Sequence, residues 1–295
     1  MREAPSLQRT GVRWVGARKL RRVASTSLRG VPKAAWVCAL VALANGLAWS
    51  LIVPPFQVPD ENAHYAYVAQ VAERGTLPRQ IPIEGHLSPR EDATLSTIGF
   101  FWMTGKPEDP APFSDLQGQL LDRIEAQRLS ARGTGDALTA TNNPPLYYAL
   151  QAIPYKLAPG GTVLSRLALM RVLSASMGAL TVLLVFMFLR ELLPARAWAW
   201  STGALLAALQ PMFGFMSGGV NNDNLLYLAA TGVLWSLARA FRRGLDERGG
   251  LLIGAFLGLG LVAKLTLLGF VPAVALALLL LVRRAWRGGV ARDRA

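Results

Sequence analysis

Cysteine, histidine and acidic residues are all scarce in this chain, and each scarcity removes a class of protein. One cysteine, Cys38, rules out a disulfide framework, and its place inside an apolar run gives it a packing role. With that cysteine and only His64 and His86, no zinc-ligand set of standard spacing can be written. Charged residues make up 17% of the chain, too few for a soluble domain of this length. Acids are outnumbered by Lys and Arg, 18 to 31, but the excess does not form a nucleic-acid face. Nine Lys/Arg against Glu3 crowd the first 33 residues, and five Arg against Asp293 crowd the last 13. These are flanks of apolar segments, where the positive-inside rule puts cytoplasmic cations. No P-loop, dinucleotide-binding glycine turn, nucleophile elbow or H-E-x-x-H is present, so ATP-driven transport and zinc proteolysis lose their usual support.

What the chain has instead is length in apolar runs: 52% of its residues are hydrophobic, and its mean hydropathy is +0.32. This composition implies an all-α polytopic membrane protein. Six spans are expected, at about 34–53, 167–189, 197–216, 225–241, 251–265 and 267–282, the last two forming a hairpin that turns near Lys264. The first has a long basic lead, full spanning length and a Pro54-Pro55 end, so it reads as a retained helix with its N-terminus inside. Both basic tails, 1–33 and 283–295, then lie in the cytoplasm. The segment 54–166, with twelve acids against nine Lys/Arg, lies outside. Within that external loop the sequence predicts an amphipathic helix from Pro59 to Arg74 ended by Gly75, and a short helix between Pro112 and Leu129. Pro145 to Leu157 is too short to span and carries three tyrosines, Lys156 and Pro154, which predicts a helix lying on the outer membrane face.

Four places could carry chemistry. Asp60, Glu61 and His64 fall at i, i+1 and i+4 at the start of the 59–74 helix. Carboxylates there are stabilised by the helix dipole, and an ionised one can act as a general base or hold a divalent cation; acids in a first turn also serve simply as caps. Asn143 and Tyr147 belong to the Asn-Pro-Pro-Leu-Tyr-Tyr start of the interfacial helix, which taken by itself reads as a proline-stiffened turn with an aromatic belt. Asn221, Asn222 and Asp223 fill the next external turn, where they either cap the following helix or bind sugar hydroxyls. Arg171 and Lys264 sit one turn inside the outer ends of two spans, placed either to snorkel or to hold the phosphate of a lipid-linked substrate.

The order of these motifs carries a resemblance. A spanning helix is followed by Pro-Asp-Glu-x-x-His, a long loop, Asn-Pro-Pro-Leu-Tyr-Tyr and Arg171-Val172-Leu173-Ser174-Ala175. Pro211-Met212-Phe213, Asn221-Asn222-Asp223 and the stretch from Gly258 to Thr266 come next. The series resembles an uncharacterised family of bacterial membrane proteins related to the GT-C glycosyltransferases, from about Ala34 to Val282. That resemblance implies a plasma-membrane enzyme that uses a polyprenyl-phosphate-linked sugar among membrane lipids, with an acceptor left open. It puts the catalytic or metal-holding carboxylate at Asp60; a divalent cation is the one cofactor it admits. Such enzymes usually carry more spans than six. A non-catalytic component, such as a polymer-export subunit or a remnant that binds lipid-linked sugar, is therefore the rival. A transporter would want ionisable groups near the bilayer midplane, not at its boundary.

Overall fold

The computed structural model describes residues 30–78, 87–101, 114–133 and 140–293, the last seven as backbone only, so His86 lies outside the described residues. Residues 1–33 and 34–295 separate into two compact units, and the account below concerns the second. Among the described residues its regular elements are all helical: α1 (Lys33–Ile52), α2 (Glu61–Arg74), α3 (Pro89–Thr97), α4 (Asp115–Ala126), α5 (Leu146–Leu157), α6 (Val163–Leu192), α7 (Ala197–Ala208), α8 (Pro211–Ser217), α9 (Asp223–Arg243), α10 (Glu247–Leu261) and α11 (Val271–Asp293).

Among the described residues, three stretches are long and apolar enough to cross a bilayer: Lys33–Ile52, Val163–Leu192 and Leu265–Trp286. The remaining expected passes differ in form. The 197–216 segment is broken at Leu209–Gln210. Pro211 occupies the first turn of α8 and cannot donate back into α7, while the Gln210 side chain caps the new helix at Phe213 N. The 225–241 segment is a continuous helix, but Asp223, Arg242 and Arg243 at its ends dilute its apolarity. The 251–265 segment becomes the 15-residue α10, roughly 22 Å long against about 30 Å of hydrocarbon. After α10 the chain reverses through Val262–Lys264 and a 3₁₀ helix, Leu265–Phe270. The start of α9 lies beside that reversal, with Asn222 Nδ2 donating to the Ala263 carbonyl. Arg284 on α11 meets the other end of α9 at the Phe241 carbonyl.

Packing follows residue size as much as polarity. α1 is apolar all round, and what it buries is a stripe of small residues, Ala35, Cys38, Ala39, Ala42 and Gly46. A Cβ on Gly46 would stand 3.1 Å from that of Ala175 on α6, so the two backbones touch. Large apolar side chains point outward instead, among them Leu51, Trp198, Leu206, Leu251 and Leu276, a surface that suits hydrocarbon better than water. The 54–166 region is no slack connector. Five of the chain's six tyrosines (Tyr65, Tyr67, Tyr147, Tyr148 and Tyr155) are fully buried where α2 and α5 pack on each other and on α6.

α2 and α5 match the expected helices closely. α2 ends at Gly75, whose φ of 65° and N–H bond to the Val71 carbonyl make the left-handed cap that glycine permits. α4 starts at Ser114 in a capping box with Gln117. α3, which the sequence reading did not identify, has the same device in Ser88 and Glu91.

Candidate functional site

Asp60 is the residue on which the site turns. It stands at the N-cap of α2 with φ 56°, and its side chain makes no capping bond. Aspartate tolerates this left-handed conformation better than most residues do. The result is an exposed carboxylate with none of its capacity spent on its own helix. It opens into a cavity of about 490 Å³, a size typical of small-ligand sites, lined also by His64, Asn143, Asn221, Asn222, Asp223 and Lys264, with Met212, Met216 and Tyr227 on the apolar side. Segments up to about 200 residues apart in the chain thus meet at one end of the helices. At the opposite end the buried Glu191 binds Arg242 and Arg243.

Within the cavity Lys264 Nζ lies 2.6 Å from Asp223 Oδ1, a half-buried ion pair. Asn221 Nδ2 donates to the Pro59 carbonyl, which ties the turn before α9 to the residue before Asp60. Asn222 is wholly buried. Its amide nitrogen donates to the Ala263 carbonyl, while its Oδ1 meets no donor among the described residues. A buried acceptor left in that state costs on the order of 1–3 kcal/mol. His64 is 4% exposed, and its Nδ1 lies 3.0 Å from the Tyr148 hydroxyl. Burial, and then the charge of Lys264, lower the His64 pKa to about 3, so the ring is neutral at physiological pH.

Three expected site residues lie elsewhere. Glu61 and Arg171 form a buried bidentate pair, Nε to Oε1 at 2.9 Å and Nη2 to Oε2 at 2.6 Å. Arg171 also donates from Nη1 to the Ser50 and Val53 carbonyls and from Nη2 to that of Pro54. A guanidinium has five N–H donors, and all five are used, which leaves none for a phosphate. Glu61 Oε1 additionally accepts from Val220 N. The pair is a clasp that joins the C-terminal carbonyls of α1, the start of α2, α6 and the turn before α9. Tyr147 is buried away from the cavity and bonds to Ser174 and Gln151. The sequence reading missed Tyr148, Met212, Met216 and Tyr227; for Tyr148 the available signal was its place next to Tyr147, on the adjacent face of a helix with two faces to bury.

Among the described residues no group of three or more His, Cys, Asp and Glu gathers where a metal could be held. Asp223, the second carboxylate of the cavity, is paired with Lys264, which leaves Asp60 as the one unpaired carboxylate among the described residues of the lining, too few ligands for a divalent cation.

Apolar helices with outward-facing apolar side chains, and a polar cavity at one end of them, define a helical membrane protein. A family model for predicted membrane proteins, DUF2142, matches residues 43–292, and the chain belongs to that family. Comparison with curated proteins and with solved structures returns no match.

Proposed function

We propose that this protein is a glycosyltransferase that moves a sugar from a polyprenyl-phosphate donor to an acceptor hydroxyl at the outer face of a bacterial plasma membrane. In this reading the chain makes six passes, with the α7–α8 pair and α10 as its irregular ones. Both tails are cytoplasmic and 54–166 is extracytoplasmic. The observation that carries the reading is the unspent Asp60 carboxylate in one cavity with the Asn143 and Asn221 side chains and the Lys264–Asp223 pair. A carboxylate accepts hydroxyl hydrogens and an ammonium meets phosphate, and a lipid-linked sugar with its acceptor supplies both.

Asp60 takes the proton of the acceptor hydroxyl as its oxygen attacks C1 of the donor sugar. The C1–O bond to the lipid phosphate breaks, and the phosphate leaves with the bonding pair. Lys264 stabilises that charge, with Asp223 holding the ammonium in place until the lipid arrives. Arg171 is withdrawn from this role because its donors are spent. Transfer from a polyprenyl-phosphate sugar in liposomes tests the mechanism. Asp60→Asn keeps the shape and the left-handed backbone but not the charge, so transfer should fall about 10²-fold or more while the melting midpoint holds. Full activity in the Asn variant would remove Asp60 from the chemistry.

The rival reading, a component that binds lipid-linked sugar without turning it over, draws on the same Lys264–Asp223 pair. A cation already neutralised at 2.6 Å suits holding a headgroup as well as expelling one. Retention of the lipid-linked sugar with no transfer would favour it.

A further inference from the structure

We propose that Tyr148 holds His64 as the neutral tautomer protonated on Nε2, so that the imidazole presents a fixed N–H donor to an oxygen of the bound ligand. The ligand's identity rests on the glycosyltransferase reading; the tautomer does not. Three observations lead to it.

The Tyr148 hydroxyl is wholly buried, and His64 Nδ1, at 3.0 Å, is the acceptor it reaches among the described residues. Burial raises the phenol's pKa well above its ordinary value, so the hydroxyl keeps its hydrogen. Were Nδ1 to carry a proton and donate it, the hydroxyl hydrogen would lose that acceptor in the core. A phenol hydroxyl has one hydrogen to give, and a bare Nδ1 takes it.

The phenol itself cannot swing away. Its ring lies against Tyr67 with centroids 3.6 Å apart and planes 9° apart, and Tyr67 is in turn tied to the Asn143 carbonyl at 3.3 Å. His64 is stacked on the same ring at 5.8 Å. Tyr148 does not line the cavity, so it acts through His64 as a positioning residue.

Nε2 of His64 has no hydrogen-bond partner among the described residues, and it is not sealed in like the unpartnered buried atoms of the core. The residue lines the cavity, and its other nitrogen is turned to Tyr148. The free nitrogen therefore faces the space beside Asp60. A neutral donor next to a carboxylate base is a useful pairing: it orients a ligand oxygen without competing for the proton that Asp60 takes. The charged groups around it are Lys264, Asp223 and Asp60 across the cavity, with the Tyr148 and Tyr67 phenols behind.

The test is ¹⁵N NMR of the full chain in nanodiscs with labelled histidine. Only His64 and His86 give signals, and His64→Gln assigns them. The expected spectrum for His64 is a protonated Nε2 and a bare Nδ1, unchanged from pH 8 to pH 5. Tyr148→Phe should convert it to a tautomer mixture. A protonated Nδ1, or titration near the ordinary histidine value, would overturn the proposal. Kinetics give a second arm. In Tyr148→Phe the KM for the polyprenyl-phosphate sugar should rise about tenfold, with kcat changing far less. Unchanged KM in a variant that still transfers sugar would sink the positioning role. Absence of transfer in the unaltered chain counts against the glycosyltransferase reading alone, and the NMR result then decides this one.

Discussion

Arg171 and Lys264 carry the same charge near the same end of the fold, yet their surroundings give them different work. Arg171 is sealed, with all five donors on Glu61 and on the carbonyls that end α1, whereas Lys264 shares one carboxylate and stays a quarter exposed. The two should separate cleanly in a melting experiment. Arg171→Met strands the buried Glu61 carboxylate and should cost about 3–5 kcal/mol, the usual penalty for breaking such a pair. Lys264→Met should cost less than about 1 kcal/mol, because that pair is screened by solvent. Equal losses in the two variants would mean that the clasp is not what holds the turn before α9 against α2. From sequence, both cations had the same appearance: a lone basic residue one turn inside an apolar run. Burial decided between them, and burial depended on a carboxylate 110 residues away.

At the scale of elements, α3 carries an acid whose environment makes docking depend on pH. Glu91 is the N3 residue of the capping box, accepts from Ser88 N, and is 5% exposed. Around it stand Arg166 on α6, Glu73 and Tyr65 on α2, and Tyr155 on α5. Burial raises its pKa from 4.5 to about 7, outweighing the bonds to Ser88. An acid with a raised pKa binds its proton more tightly in the folded state, so stability falls as pH rises from 4.5 to about 7 and is flat above that. His64 acts in the opposite sense: its lowered pKa makes stability rise with pH between about 3 and 6.5. The difference between the parent and Glu91→Gln isolates the first effect. The Gln variant should melt several degrees higher at pH 8 and show a smaller loss between pH 5 and pH 7; identical slopes would exclude Glu91 as the cause. α2, α4 and α5 were legible because caps, glycines and prolines bracket them. The break at Gln210–Pro211 left a proline as its only signal, and the long apolar run around it hid the interruption.

For the molecule as a whole, the basic flanks and the acidic 54–166 segment predict that both tails share one side of the membrane. An impermeant thiol reagent added outside should label a cysteine introduced at Ser114, which starts α4, and spare one introduced at Ala291; native Cys38 is buried and silent. Labelling at Ala291 would require an odd number of passes. The helical class and the gathering of Asp60, Asn143, Asn222, Asp223 and Lys264 into one cavity could be anticipated from sequence. Motifs placed at the same end of successive apolar segments are brought together by the packing of those segments. The Glu61–Arg171 clasp could not, since nothing local links its halves. That separation has a consequence for how the protein is made. At roughly 5–20 residues per second, a ribosome would deliver Glu61 some 5–20 s before Arg171. Throughout that interval the newborn chain holds an acid destined for the interior with no counter-charge. Any nascent chain cut short before α6 lacks Arg171 altogether, and its Glu61 carboxylate has lost the partner that offsets the cost of its burial.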